Sequence, residues 1–187
     1  MNISRKKKVV DVPLAWRKML ADIPNGGSVK AAEIRTAMLY DGTPVYYSES
    51  DHLWHPIYTA VLQANATNSA TTYKVLKGHS LKVGDYLYNG STGYAISVID
   101  TSNSAYDSVT IGTTLGTALS AGAVLVAGGS GGATPNPQGL VVGHHVVESG
   151  MNLETGIGVI GTVMAVHMKT PMTSDQKAAL KGIVFVD

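Results

Sequence analysis

YKVLKGHSLKVGDYLYNGSTGYAISVIDTSNSAYDSVTIGTTLGTALSAGAVLVA, residues 73–127, is the stretch that decides the fold. Short runs of Val, Ile, Leu, Tyr and Thr alternate there with Gly, Asn, Asp and Ser, which is how compact antiparallel β-structure is written. Tyr73 and Val75 face one way, Lys74 and Leu76 the other. Tyr94, Ile96 and Val98 line one face of a later run, Val109 and Ile111 repeat the alternation, and residues 123–127 make a short, wholly apolar strand. Asn89-Gly90 stands between two such runs, where a residue free to take positive φ makes a hairpin turn. The expected class is mainly β: a compact antiparallel barrel or sandwich-like domain with a short N-terminal helix and a short C-terminal helix.

The chain of 187 residues has room for one domain and appendages. With 14% charged and 44% hydrophobic residues, its bulk is not composed like a disordered protein. A net charge of +1 gives no support for direct nucleic-acid binding. There is no cysteine, so disulfides, thiolate metal sites and cysteine nucleophiles are excluded. No apolar run approaches transmembrane length, and no apolar h-region follows the early basic residues, so no membrane partner is expected.

In chain order, Arg5, Lys6, Lys7 and Lys8 form a basic arm. Asp11 reads as an N-cap with Pro13 in a first turn, and Val12, Trp16, Met19, Leu20 and Ile23 fall at helical spacing. A helix that short does not persist alone in water, so it needs its own domain or a partner to lie on. Residues 28–40 fit helix and strand equally. The spacing His52-x-x-His55 could bind metal, but no third ligand is positioned and a strand-and-turn context splits the two rings, so a structural role is expected. His144 and His145 are adjacent on a strand and point to opposite faces. Residues 128–139, GGSGGATPNPQG, read as a flexible exposed loop, and they carry no lysine for a phosphate-binding loop. Residues 157–168, IGVIGTVMAVHM, are apolar on both faces, as in a strand held between two layers or set against another subunit. Ile157, Val159, Ile160, Val163, Met164 and Val166 are therefore the candidates for an oligomer interface. Thr173 and Gln176 spell a capping box for a helix over 174–181 with Gly182 as its stop, and residues 183–186 form a last strand that must pair with something.

Taken in order, these patterns resemble the head-decoration or head-fibre proteins of tailed phages of gut bacteria. The likeness rests on Asp41-Gly42-Thr43-Pro44-Val45, on Tyr73-x-Val75-x-Lys77-Gly78-His79-x-x-x-Val83-Gly84-Asp85, and on Ile99-Asp100-Thr101-Ser102-Asn103 through Tyr106-Asp107. Thr113-Thr114-Leu115-Gly116, Gly122-x-Val124-Leu125 and the ending Lys177-Ala178-Ala179-Leu180-Lys181-Gly182-Ile183 add to it. It spans roughly residues 40–187. The resemblance implies a non-enzymatic structural protein on the capsid exterior, made in the host cytoplasm, oligomeric and commonly trimeric, with the major capsid protein as its partner. On this reading residues 1–42 are a capsid anchor, with Arg5, Lys6, Lys7, Lys8, Trp16, Met19 and Leu20 as its contact residues, and residues 43–187 are the decoration domain.

The alternative is a carbohydrate-binding or adhesive module that meets host-surface glycans through Tyr46, Tyr47, Trp54, Tyr86, Tyr88 and Tyr94. Two common hydrolase and nucleotide signatures are missing: there is no H-E-x-x-H and no Walker loop. No catalytic residue, metal site or cofactor is expected.

Overall fold

The longest strand, Leu153–Met164, is the axis of the molecule. A computed structural model describes residues 12–90, 92–130, 135–148 and 150–187. In chain order its strands are β1 (Trp16–Asp22), β2 (Gly27–Val29), β3 (Met38–Leu39), β4 (Pro44–Ser48), β5 (Leu53–Pro56), β6 (Thr59–Val61), β7 (Thr72–Leu76), β8 (Tyr86–Asn89), β9 (Thr92–Asp100), β10 (Tyr106–Ile111), β11 (Val124–Gly128), β12 (Gly139–Val142), β13 (His145–Val146), β14 (Leu153–Met164) and β15 (Ile183–Val186). The α-helix α1 spans Ser174–Ala179, and single 3₁₀ turns cover Ala31–Glu33 and Ala165–His167.

The first half of β14 belongs to a small closed barrel. Its strands pair in the cycle β14–β12–β4–β5–β2 and back to β14. Val29, Leu39, Val45, Trp54, Val141 and Ile157 fill the inside. The second half of β14 continues beyond the barrel, flanked by β1 on one side and β15 on the other. Ala15, Leu140, Val163, Met168, Met172, Leu180 and Ile183 form the core beneath this three-stranded extension. One side of β14 thus serves two cores along its length, through Ile157 and then Val163, while Ile160 on the other side is exposed.

Between β5 and β12 the chain inserts a second sheet, ordered β6-β11-β8-β9-β10-β7 and antiparallel throughout. An antiparallel bridge between Leu62 and Val75 joins its two ends, so this sheet also curls shut. Tyr73, Val75, Leu87, Ile96, Val109, Ile111 and Leu125 form its interior. β8 and β9 make the expected hairpin, with Asn89 opposite Thr92 and Gly90 at φ +65°. At the C-terminus, the Thr173 hydroxyl accepts from the Gln176 amide and the Gln176 side chain accepts from the Thr173 amide, completing the capping box. The helix ends at Ala179, two residues earlier than the glycine stop implied. Gly182 instead lets the chain pass close to the Val159 carbonyl.

The N-terminal helix is not formed. Trp16–Asp22 is a strand antiparallel to β14, with register irregularities at Trp16/Lys18, Met19/Ala21 and Ala21/Asp22. Those irregularities break the period-two pattern, leaving a helix-like spacing of Trp16, Met19 and Ile23 in the sequence. Residues 28–40 resolve into β2, the 3₁₀ turn and β3. β1, β2 and β3 pair with β14, β5 and β13, so the described residues of the expected 1–42 unit share sheets with residues beyond 42. Arg5, Lys6, Lys7, Lys8 and Asp11 lie outside the described residues, as does the 131–134 centre of the glycine-rich loop.

Candidate functional site

Asp41 sets the position of the molecule's outer edge. Its carboxylate is buried and accepts from the backbone N–H groups of Ala15 (2.6 Å), Trp16 (2.9 Å) and Gly143. Its own N–H donates to His144 Nδ1 at 3.1 Å, which leaves Nε2 as the protonated nitrogen donating to the Val12 carbonyl at 3.0 Å. Trp16 Nε1 donates to the Val141 carbonyl at 3.0 Å, and a Cβ at Gly158 would overlap the indole. One carboxylate and one indole therefore fasten the start of β1 to the body.

Register then decides which side chains face out. Val163 lies opposite Trp16 on one side and Phe185 on the other, and this row covers the inner core. Thr162 lies opposite Lys18 and Val184, and Ile160 opposite Ala21; these rows face outward. Leu20 is 65% exposed, Val184 59% and Ile160 45%, an apolar face on a sheet extension three strands wide. Among the described residues, no strand pairs with the far edge of β1 or of β15.

The six interface candidates divide along these rows. Ile157 and Val163 are fully buried in the chain's own cores, so they cannot meet another subunit. Val159 and Met164 are half-buried. Ile160 and Val166 are exposed. Of the anchor candidates, Trp16 is committed to the body, whereas Met19 and Leu20 stand on the open strand. Sequence reading passed over Lys18 and Val184, because their placement depends on register with Thr162, which no local pattern encodes.

A second feature is a cleft of about 600 Å³ between barrel and inserted sheet, bordered by Glu33, Arg35, Tyr46, Tyr58 and Asp85. Arg35 grips Asp85 through both nitrogens (2.5 and 2.8 Å), donates to the Ser80 carbonyl at 2.8 Å and lies over the Tyr58 ring. Burial pushes the Tyr58 phenol up to about 12, and its hydroxyl donates to the Glu33 carbonyl at 2.9 Å. Behind it, His55 is bracketed by Glu33 Oε2 at 2.8 Å and Asp51 Oδ1 at 3.0 Å, with Tyr46 stacked on its ring. Burial raises the Tyr46 phenol as well. Hydrogen bonds from His55 first, and Lys30 second, hold the Asp51 carboxyl well below the usual carboxylate range. These charged groups tie the 3₁₀ turn, the β4–β5 hairpin and the inserted sheet together.

The other histidines have local partners. His52 Nδ1 meets the Tyr47 hydroxyl at 3.0 Å, so the His52-x-x-His55 pair does not converge. His145 Nε2 contacts Thr155 Oγ1 and the Val142 carbonyl. His79 Nδ1 accepts from the Leu81 N–H, which places the ring proton on Nε2, 3.1 Å from Asp107 Oδ2 but too poorly aligned for a hydrogen bond. Burial lowers the basicity of His79, against the opposing pull of Asp107. Among the described residues, no group of three His, Asp or Glu side chains could hold a metal ion. Of the proposed sugar-stacking rings, Trp54 and Tyr88 are buried, and Tyr46 borders the cleft.

The chain matches no family model, no curated protein and no solved structure.

Proposed function

We propose that this chain is a structural virion protein of a tailed phage, a head-fibre or decoration protein on the capsid exterior that works by assembly rather than catalysis. The observation that carries the reading is the three-stranded extension with an apolar outer face and two unpaired strand edges. An exposed apolar face of this kind marks a contact surface, and the β15 edge is open to another chain, whereas Arg17, Lys18 and the register breaks blunt the edge of β1. The resemblance supplies the kind of assembly: a homo-oligomer, with a trimer favoured, held to the major capsid protein. Attachment through the N-terminal region is left to Arg5, Lys6, Lys7 and Lys8 together with the exposed Met19 and Leu20, since Trp16 is built into the body.

Co-sedimentation of the purified chain with phage heads lacking it tests this reading. The full chain is expected to pellet with the heads. A chain lacking residues 1–11 is expected to stay in the supernatant while keeping its far-UV spectrum. Binding that survives the truncation would move the attachment site elsewhere, and no binding by either chain would refute the capsid reading. The carbohydrate alternative keeps one feature in its favour, the cleft bordered by Tyr46, Glu33 and Asp85. A glycan array checks it, and a strong hit lost in Tyr46→Ala would favour that function instead.

A further inference from the structure

Of the two outer edges of the extension, that of β15 carries nothing that turns another strand away. β1 has Arg17, Lys18 and register breaks on its side. β15 runs without a break opposite Gly161, Thr162, Val163 and Met164, and it holds no charge and no proline. Its backbone is turned for pairing. The Gly161 N–H donates to the Gly182 carbonyl at 3.0 Å, so Gly182 and, by alternation, Val184 and Val186 direct their backbone groups at β14. The carbonyl of Ile183 and both backbone groups of Phe185 therefore point to the open side. The Ile183 N–H is already taken by the Leu180 carbonyl at 2.9 Å.

This edge is complementary to itself. Let two copies of β15 meet antiparallel about a twofold axis at Val184. Val184 then lies opposite its counterpart, and Ile183 lies opposite Phe185 on both sides of the axis. Every pair keeps to one face: Ile183 and Phe185 both pack toward the inner core, whereas Val184 is 59% exposed on the outer face. The backbone groups that meet are the open ones, with the Phe185 N–H of each copy donating to the Ile183 carbonyl of the other. At each end, exposed Asp187 of one copy comes beside the Leu180–Ile183 turn of the other, within reach of the exposed Lys181 side chain. Neither residue enters an ion pair among the described residues. An axis at Phe185 would instead set the Asp187 carboxylate opposite apolar Ile183 and lose both ion pairs.

We infer that this chain pairs with a second copy of itself through β15, in the register centred on Val184, so that one sheet runs from β1 of one copy to β1 of the other. The inference rests on the assembly reading but sets the number of copies: an isologous contact closes at two, in place of the trimer that the resemblance favours.

The chain has no cysteine, so one introduced thiol reports its own neighbours. Val184→Cys, on the axis, should oxidise to a disulfide-linked dimer, and Val166→Cys, at another exposed valine, should give at least about five-fold less. By sedimentation velocity at about 100 μM, a concentration suited to so short a contact, the wild-type chain should be a dimer. Lys181→Asp and Asp187→Lys should each weaken it about ten-fold or more, since each sets like charges together at both ends. Mixing these two variants should restore dimers to within a few-fold of wild type, because only the mixed pair has opposite charges at both ends. A wild-type monomer or trimer at that concentration overturns the inference. So does Val184→Cys that links no better than Val166→Cys, or a mixture that stays dissociated. Head binding measured on the same proteins separates the claims: a chain that binds heads without pairing through β15 keeps the capsid reading and discards this interface, and a dimer that ignores heads does the reverse.

Discussion

Removing the Asp41 carboxylate should cost more than any other single polar change in the molecule. The side chain is 2% exposed and accepts three backbone N–H groups, those of Ala15, Trp16 and Gly143. Hydrogen bonds to a charged acceptor contribute about 1.5–3 kcal/mol each, and a buried donor left without a partner costs about 1–3 kcal/mol. The three share one acceptor and are not additive, and the Trp16 N–H is only part-buried, so Asp41→Ala should cost about 4 kcal/mol. For a chain of this size that corresponds to a melting temperature lower by about 8–16 °C. Asp41→Asn keeps one carbonyl oxygen but turns an amide N–H₂ toward a backbone donor, and should cost about 2 kcal/mol. Equilibrium urea unfolding followed by circular dichroism gives both values. Hydrogen exchange should show the Ala15 and Trp16 amides losing protection ahead of those in β12. A loss below about 1 kcal/mol for Asp41→Ala, or unchanged protection at Ala15, would refute the claim that this carboxylate fastens β1.

The remaining predictions are more local. Asp51 has its folded pKa below its ordinary value, so its contribution is fully present above about pH 4 and is lost as the pH falls through the depressed value. Wild type should therefore lose more stability than Asp51→Asn between pH 4 and 2, and parallel curves would contradict the His55–Asp51 contact. His79 is also depressed, so the same rule predicts a loss that begins as the pH falls below about 6.5 and is absent in His79→Gln. In a spectrophotometric titration the last tyrosine should ionise near pH 12 and vanish in Tyr58→Phe; an unchanged titration end would show that the ring is not the buried one. Gly26 sits at φ +71° where a Cβ would collide with the Thr155 carbonyl, so Gly26→Ala should cost at least about 1 kcal/mol by thermal melting.

Local patterns carried the inserted sheet and the C-terminus. Alternation over 73–76 and 106–111, the turn through Gly90 and the Thr173–Gln176 capping box each have a cause within a few residues, and each appears in the structure. The N-terminal strand was not legible, because its register breaks blur the alternation and its partner β14 lies about 140 residues away. The two-faced apolar run was visible, but the choice between a buried strand and a subunit contact turned on pairings that no local pattern encodes. Ile157 and Val163 went inside, and Ile160 and Val166 stayed out. Asp41 stood out in the sequence only as part of Asp41-Gly42-Thr43-Pro44-Val45; its three backbone donors come from residues 15, 16 and 143 and cannot be inferred from its neighbours. The cleft was equally hidden, since Arg35 and Asp85 meet only when the inserted sheet docks on the barrel.

Quantitative mass spectrometry of density-purified particles from a culture that produces this chain tests the central claim, the proposed capsid role, most directly. The account predicts the chain in full particles at a fixed, stoichiometric ratio to the major capsid protein, accessible to surface biotinylation and released only when the head is disrupted. Its absence from purified particles, with the protein confined to the soluble fraction of infected cells, would contradict the account.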